Sequence, residues 1–74
     1  MTRQLTQADF KDVAPWVESM AIDGNGRAWG YAVSTSLLSI DDKACEWIAS
    51  IGKSINLGAG YDTTNWQHSA IDRE

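Results

Sequence analysis

Apolar and polar residues alternate most clearly between Trp16 and Val33, where two runs flank Asp23-Gly24-Asn25-Gly26. A period of two interrupted by Asp-Gly and Asn-Gly steps predicts an antiparallel hairpin, because those residues tolerate the positive φ of tight hairpin loops. A two-residue loop at Gly24-Asn25 or at Asn25-Gly26 gives the same facing. Either one gathers Trp16, Met20, Ile22, Trp29, Tyr31 and Val33 on one side, with Glu18 the exception. The other side carries Val17, Ser19, Ala21, Ala28, Gly30 and Ala32. The aromatic side is the expected core, and a one-residue slip would exchange the two. Glu18 reads as an inward charge guarding a sheet edge against further pairing, in preference to a catalytic acid.

Upstream, Thr6-Gln7-Ala8-Asp9 places a capping hydroxyl three residues before an acid, with Leu5 and Phe10 at the positions of a hydrophobic staple. A short helix is expected to start there and stop near Val13, since Ala14 precedes Pro15 and is pushed out of the α region. So short a helix needs a surface to dock on, through Phe10 and Val13.

Downstream, Ser34-Thr35-Ser36 reads as a loop, and Leu37 to Leu57 carries two competing periods. Ala44, Trp47, Ile48 and Ile51 follow helical spacing, with Ser39 and Asp42 as a capping box and Gly52 as a terminator. Against this, Cys45, Trp47, Ala49 and Ile51 alternate, Ile55 and Leu57 alternate again, and Gly52-Lys53 can bend the chain between two strands. Periodicity slightly favours the helix and leaves residues 39–52 open between the two. Gly58-Ala59-Gly60 then marks a turn, Asp62-Thr63-Thr64-Asn65 can start a helical turn, and Trp66 and Ile71 tether the tail.

Length limits how such elements are stabilised. Residues 1–74 are expected to form one small domain, and a chain of this size buries only about 60% of the surface its unfolded form exposes. Disulfides do not compensate, because Cys45 has no partner within the chain; it reads as a small buried hydrophobe and gives no sign of secretion. Four Trp residues are the substitute, each able to bury a large area.

Charge narrows the partners. Six Lys and Arg are scattered singly against ten Asp and Glu, for a net charge of −4. Phosphate backbones are held by clustered cations, so direct nucleic-acid binding is disfavoured, and the acidic excess is too modest for a strong DNA mimic. No apolar run approaches the ~18 residues of a membrane span, and Met-Thr-Arg-Gln-Leu opens a polar stretch where a leader would be apolar. No membrane association and a cytoplasmic location are the expectation.

Chemistry-bearing motifs are missing. Counting from Asp23, a calcium loop would need an oxygen ligand at Arg27 and a Glu at Ser34. Cys45 and His68 sit in no nucleophile or zinc motif, and the Gly pairs form no phosphate loop. No catalytic residue, metal or cofactor is therefore expected. The aromatic residues read first as core, with any exposed ring a binding anchor.

The order of landmarks adds one further expectation. Trp16, Ala21-x-Asp23, Gly26-x-Ala28-Trp29-x-Tyr31, Trp47, Gly60-Tyr61-Asp62 and Trp66-Gln67-x-Ser69-x-Ile71-x-Arg73 follow one another from Trp16 to Arg73. This resembles small bacteriophage accessory proteins with a W…AxDxxGxAWxY hairpin and a WQxSLIxR-like tail. The chain departs in having Ala70 in place of Leu and no proline at Ser34 to Ser36. The resemblance implies strands around Trp47 and Ile55, and hence an α+β fold: a short N-terminal helix with a three- or four-stranded antiparallel sheet, its Trp-rich face buried.

The resembled proteins are largely of unassigned function; the phage-like pattern and the lack of a catalytic constellation together give the expectation of a non-enzymatic protein, of host-cell cytoplasm, that binds and modulates a host protein or nucleoprotein complex. An anti-defence inhibitor, of CRISPR or restriction machinery, fits that description. Trp29, Tyr31 and Trp47 are the expected anchors, with Asp41, Asp42, Asp62 and Asp72 facing a basic cleft. The alternatives are a single-stranded nucleic-acid binder using the same aromatics and an assembly protein that forms homo-oligomers through a sheet edge.

Overall fold

The computed structural model describes residues 3–74, so Met1 and Thr2, on which part of the leader expectation falls, lie outside it. The N-terminal signals act where expected, but the segment Gln7–Asp12 winds as a 3-10 helix. Between its cap and Pro15 there is room for few i→i+4 bonds, and the tighter turn closes sooner: the Asp9 N–H donates to the Thr6 carbonyl at 3.0 Å. The Asp9 carboxylate accepts the Thr6 N–H at 2.8 Å and also pairs with Arg3. Phe10 is buried and Val13 packs beside it, as the docking argument requires.

Among the described residues the architecture is a small α+β arrangement of 3-10 turns and six strands in two antiparallel sheets. Strands β1 (Ser19–Ile22) and β2 (Ala28–Tyr31) form the hairpin, and β3 (Leu38–Asp41) and β4 (Glu46–Ala49) form a second one. Strands β5 (Ser54–Gly58) and β6 (Ile71–Asp72) complete a four-stranded sheet in the order β5-β2-β1-β6, with β3-β4 as a separate two-stranded sheet.

The first hairpin has a different facing from the one expected. The Asp23 N–H donates to the Arg27 carbonyl at 2.8 Å and the Gly26 N–H to the Asp23 carbonyl at 3.0 Å, so the loop is Gly24-Asn25-Gly26. Gly26 takes φ 86°, the left-handed residue that closes a three-residue hairpin loop. One extra loop residue shifts the pairing to Met20↔Gly30, Ala21↔Trp29 and Ser19↔Tyr31. Met20 and Ile22 therefore share a face with Ala28 and Gly30, while Trp29 and Tyr31 lie on the opposite face with Ser19 and Ala21. The turn set the register; the aromatic side chains did not.

The core forms on the Met20 face. Phe10, Val17 and Met20 pack with Leu5, Val13, Leu57 and Ile71, and Ile22, Ala28 and Tyr61 continue the layer toward Trp66. This overturns the expected Trp-rich core: Trp16, Trp29, Trp47 and Trp66 are all half-buried. Gly30 leaves room for the side chains beside it, since a Cβ there would lie 2.9 Å from Val17 Cγ1 and 3.3 Å from Ile55 Cγ2. Glu18 is exposed, with its N–H donating to Tyr31 and its carbonyl accepting from Arg73. Paired on both sides, it guards no edge.

Residues 39–52 hold two strands joined by a turn, and not a helix. The Asp41 carboxylate accepts the Lys43 and Ala44 N–H groups at 3.0 and 3.2 Å, which turns the chain after β3, and Cys45 closes the turn at φ 55°. Ser39 consequently pairs with Ile48 and caps nothing, and Cys45 is exposed where a buried thiol was expected. Gly52, at φ 78°, bends the chain between β4 and β5, and strands occur around Trp47 and Ile55. Past Asp62 a 3-10 turn forms at Trp66–His68.

Gly30→Ala is expected to lower unfolding stability by about 1–3 kcal/mol, because the central strand cannot move away from Val17 without breaking its two ladders. Urea denaturation checks this, and an unchanged midpoint would contradict the close approach.

Candidate functional site

The second hairpin is held against the far face of the sheet by the loop of the first. The Asp23 carboxylate accepts the Trp47 N–H at 2.9 Å, and the Gly24 N–H donates to the Cys45 carbonyl at 2.7 Å. The Trp47 indole N–H donates to the Trp66 carbonyl at 3.1 Å, and Gln67 donates to the Asp42 carboxylate at 3.0 Å. These bonds attach one end of β3-β4 and leave a cleft of about 260 Å³ between β4 and the Trp29 face of β2. Trp29, Tyr31 and Trp47 line it together with the carboxylates Asp23 and Glu46. Ile48, Ala49, Gly52 and Ser54 complete its wall.

Asp23 is only 6% exposed. Burial pushes its carboxyl above the usual range; the Trp47 N–H opposes this, the Glu46 charge adds to it, and the Trp29 indole draws it back. Tyr31 is shifted upward by burial first and by the charges of Asp23 and Glu46 second, so its phenol stays protonated. The cleft thus combines aromatic walls and two acids, and none of its lining residues is Lys, Arg or His. Its groups suit recognition: the phenol is held neutral and one Asp23 oxygen is committed to the backbone of β4.

The structure brings together three of the sequence-predicted binding residues, Trp29, Tyr31 and Trp47, and separates the acids from them. Asp41 shapes the β3-β4 turn and Asp42 is engaged by Gln67. Asp62 belongs to the other side of the molecule, where it accepts from Gln4 and from the Thr64 N–H. Hydrogen bonds from Thr64, and more weakly from Gln4, hold its carboxyl below the usual range. Asp72 accepts the Thr35 N–H and hydroxyl at 2.8 Å each, so it is used internally and not toward a partner.

Asp23 and Glu46 were missed by sequence reasoning. Asp23 reads as a turn former, and nothing local shows that its carboxylate meets a strand 24 residues away. A second groove of about 400 Å³ lies between the N-terminal 3-10 helix and β5, but its Arg3 already pairs with Asp9 and covers the Tyr61 ring at 5.0 Å. No family model matches the chain, and no curated protein or solved structure matches it either.

The Asp23 junction makes a signed prediction. A folded-state pKa above the unfolded value means that ionising Asp23 subtracts from stability as pH rises through and above the carboxylate range. Asp23→Asn keeps an acceptor for the Trp47 N–H, so its stability relative to the parent should rise as pH climbs through and above the ordinary carboxylate range. Asp23→Ala orphans that N–H and should cost about 1–3 kcal/mol. Urea melts across pH test both, and an Asn variant that loses as much as the Ala variant at every pH would contradict the junction.

Proposed function

We propose that the chain is a non-enzymatic accessory protein, of the bacteriophage kind it resembles, that binds and modulates a host protein. An anti-defence inhibitor is the form of this role that best suits a small protein offering a surface and no reaction centre. The observation that carries the reading is the composition of the second hairpin. Trp47 and two aromatic residues of β2 line its cleft, and Ile40, Ile48 and Ile51 are 36%, 39% and 58% exposed on it or at its end. Aromatic anchors and exposed aliphatic residues are how protein interfaces are built; the register puts Ile40 on the Trp47 face of the hairpin and Ile48 on the other, so both faces offer apolar surface.

Two carboxylates at the cleft repel phosphate, which weakens the single-stranded nucleic-acid alternative. Self-assembly has one specific feature in its favour. Strand β3 is bonded to β4 alone, so its outer edge is free among the described strands, whereas that of β4 is engaged by Asp23 at Trp47.

The experiment is affinity capture from the bacterial host with the parent chain, an Ile48→Asp/Ile51→Asp variant and a Lys11→Ala control on the opposite side. Both isoleucines are exposed, and circular dichroism of the double variant checks that its fold is kept. A stoichiometric partner held by parent and control and lost at least about tenfold in the double variant, ~1.4 kcal/mol, is expected. Capture indifferent to the double substitution, or recovery of the chain itself as the sole partner, would overturn the reading.

A further inference from the structure

We propose that the cleft between β2 and β4 receives an organic cation, the ammonium or guanidinium head of a basic side chain presented by the partner protein. Aromatic rings attract cations through their faces at distances up to about 6 Å, and grouped rings with nearby acids are the usual receptor for such heads. Here Trp29 and Tyr31 from one sheet and Trp47 from the other meet beside Asp23 and Glu46. Neither acid has a salt-bridge partner among the described residues, where the ion pair is Arg3 with Asp9 at the far side.

Three of the chain's six basic residues cover other rings. Arg3 covers Tyr61 at 5.0 Å, Arg73 covers Phe10 at 5.0 Å and Lys53, the basic residue nearest the cleft in sequence, covers Trp16 at 4.4 Å. Among the described residues, no cation covers Trp29, Tyr31 or Trp47. The cleft, of about 260 Å³, has room for a side-chain head. An anion would meet two carboxylates, and a neutral apolar group would seal Asp23 beside Glu46 with no counter-charge.

This inference rests on the protein-binding reading for the source of the cation, and it is tested with free mimics. The parent chain is titrated with N-acetyl-arginine methylamide and N-acetyl-lysine methylamide, with the neutral N-acetyl-citrulline methylamide as the shape control. Indole N–H resonances report the site. Saturable shifts at Trp29 and Trp47 but not at Trp16, at least tenfold tighter for a cationic amide than for citrulline, are expected; Glu46→Gln, an exposed position, should weaken them several-fold. No saturation, equal binding of citrulline, or shifts confined to Trp16 would overturn the proposal. If the cations bind and no partner is captured, the host-protein reading falls and the cleft chemistry stands; if a partner is captured and no cation binds, the reverse holds.

Discussion

Everything distinctive in this molecule depends on the turn from Asp23 to Arg27. Its backbone closes a three-residue loop, with the Asp23 N–H on the Arg27 carbonyl and Gly26 left-handed. The same few residues then reach outward: the Asp23 carboxylate to the Trp47 N–H, the Gly24 N–H to the Cys45 carbonyl and the Gly26 carbonyl to the Tyr61 N–H. One turn therefore fixes the facing of the central hairpin and fastens both the second hairpin and the tail to it. The cleft is the space left where that fastening holds only one end.

This arrangement has a cost. A carboxylate is kept from water to accept one backbone hydrogen bond, beside a second acid and with no salt-bridge partner among the described residues. Apolar core burial elsewhere offsets it, chiefly Phe10, Val17, Met20 and Ile22. The four Trp, at first sight the reserve of an undersized core, are half-buried spacers between layers. Trp16 lies under Lys53, Trp66 closes the end of the core and gives its carbonyl to Trp47, and Trp29 and Trp47 line the cleft.

How much of this was legible follows from how far each signal reaches along the chain. Local signals were readable: the cap at Thr6 and Asp9, the stop at Pro15, the Asp-Gly-Asn-Gly turn and the helical turn after Asp62. Facing was not, because Asp23-Gly24-Asn25-Gly26 accommodates loops of two or three residues at almost equal ease, and a single residue moves Trp29 and Tyr31 across the sheet. The middle was ambiguous since Trp47 and Ile51 satisfy both periods over so short a run; the Asx turn at Asp41 and the left-handed Cys45 decide for strands. Of the site, the aromatics could be named from sequence, whereas Asp23 and Glu46 acquire their role only when β4 is brought back over β2.

The central claim is that the aromatic residues of β2 face the second hairpin and away from the core. Proton–proton Overhauser contacts in solution test it most directly. The three-residue loop predicts contacts between the Trp47 ring and the Trp29 or Tyr31 rings, together with contacts between the Met20 methyl and the Phe10 ring. Contacts from Trp29 and Tyr31 to Phe10 or Met20, with none to Trp47, would show the other register and contradict the account.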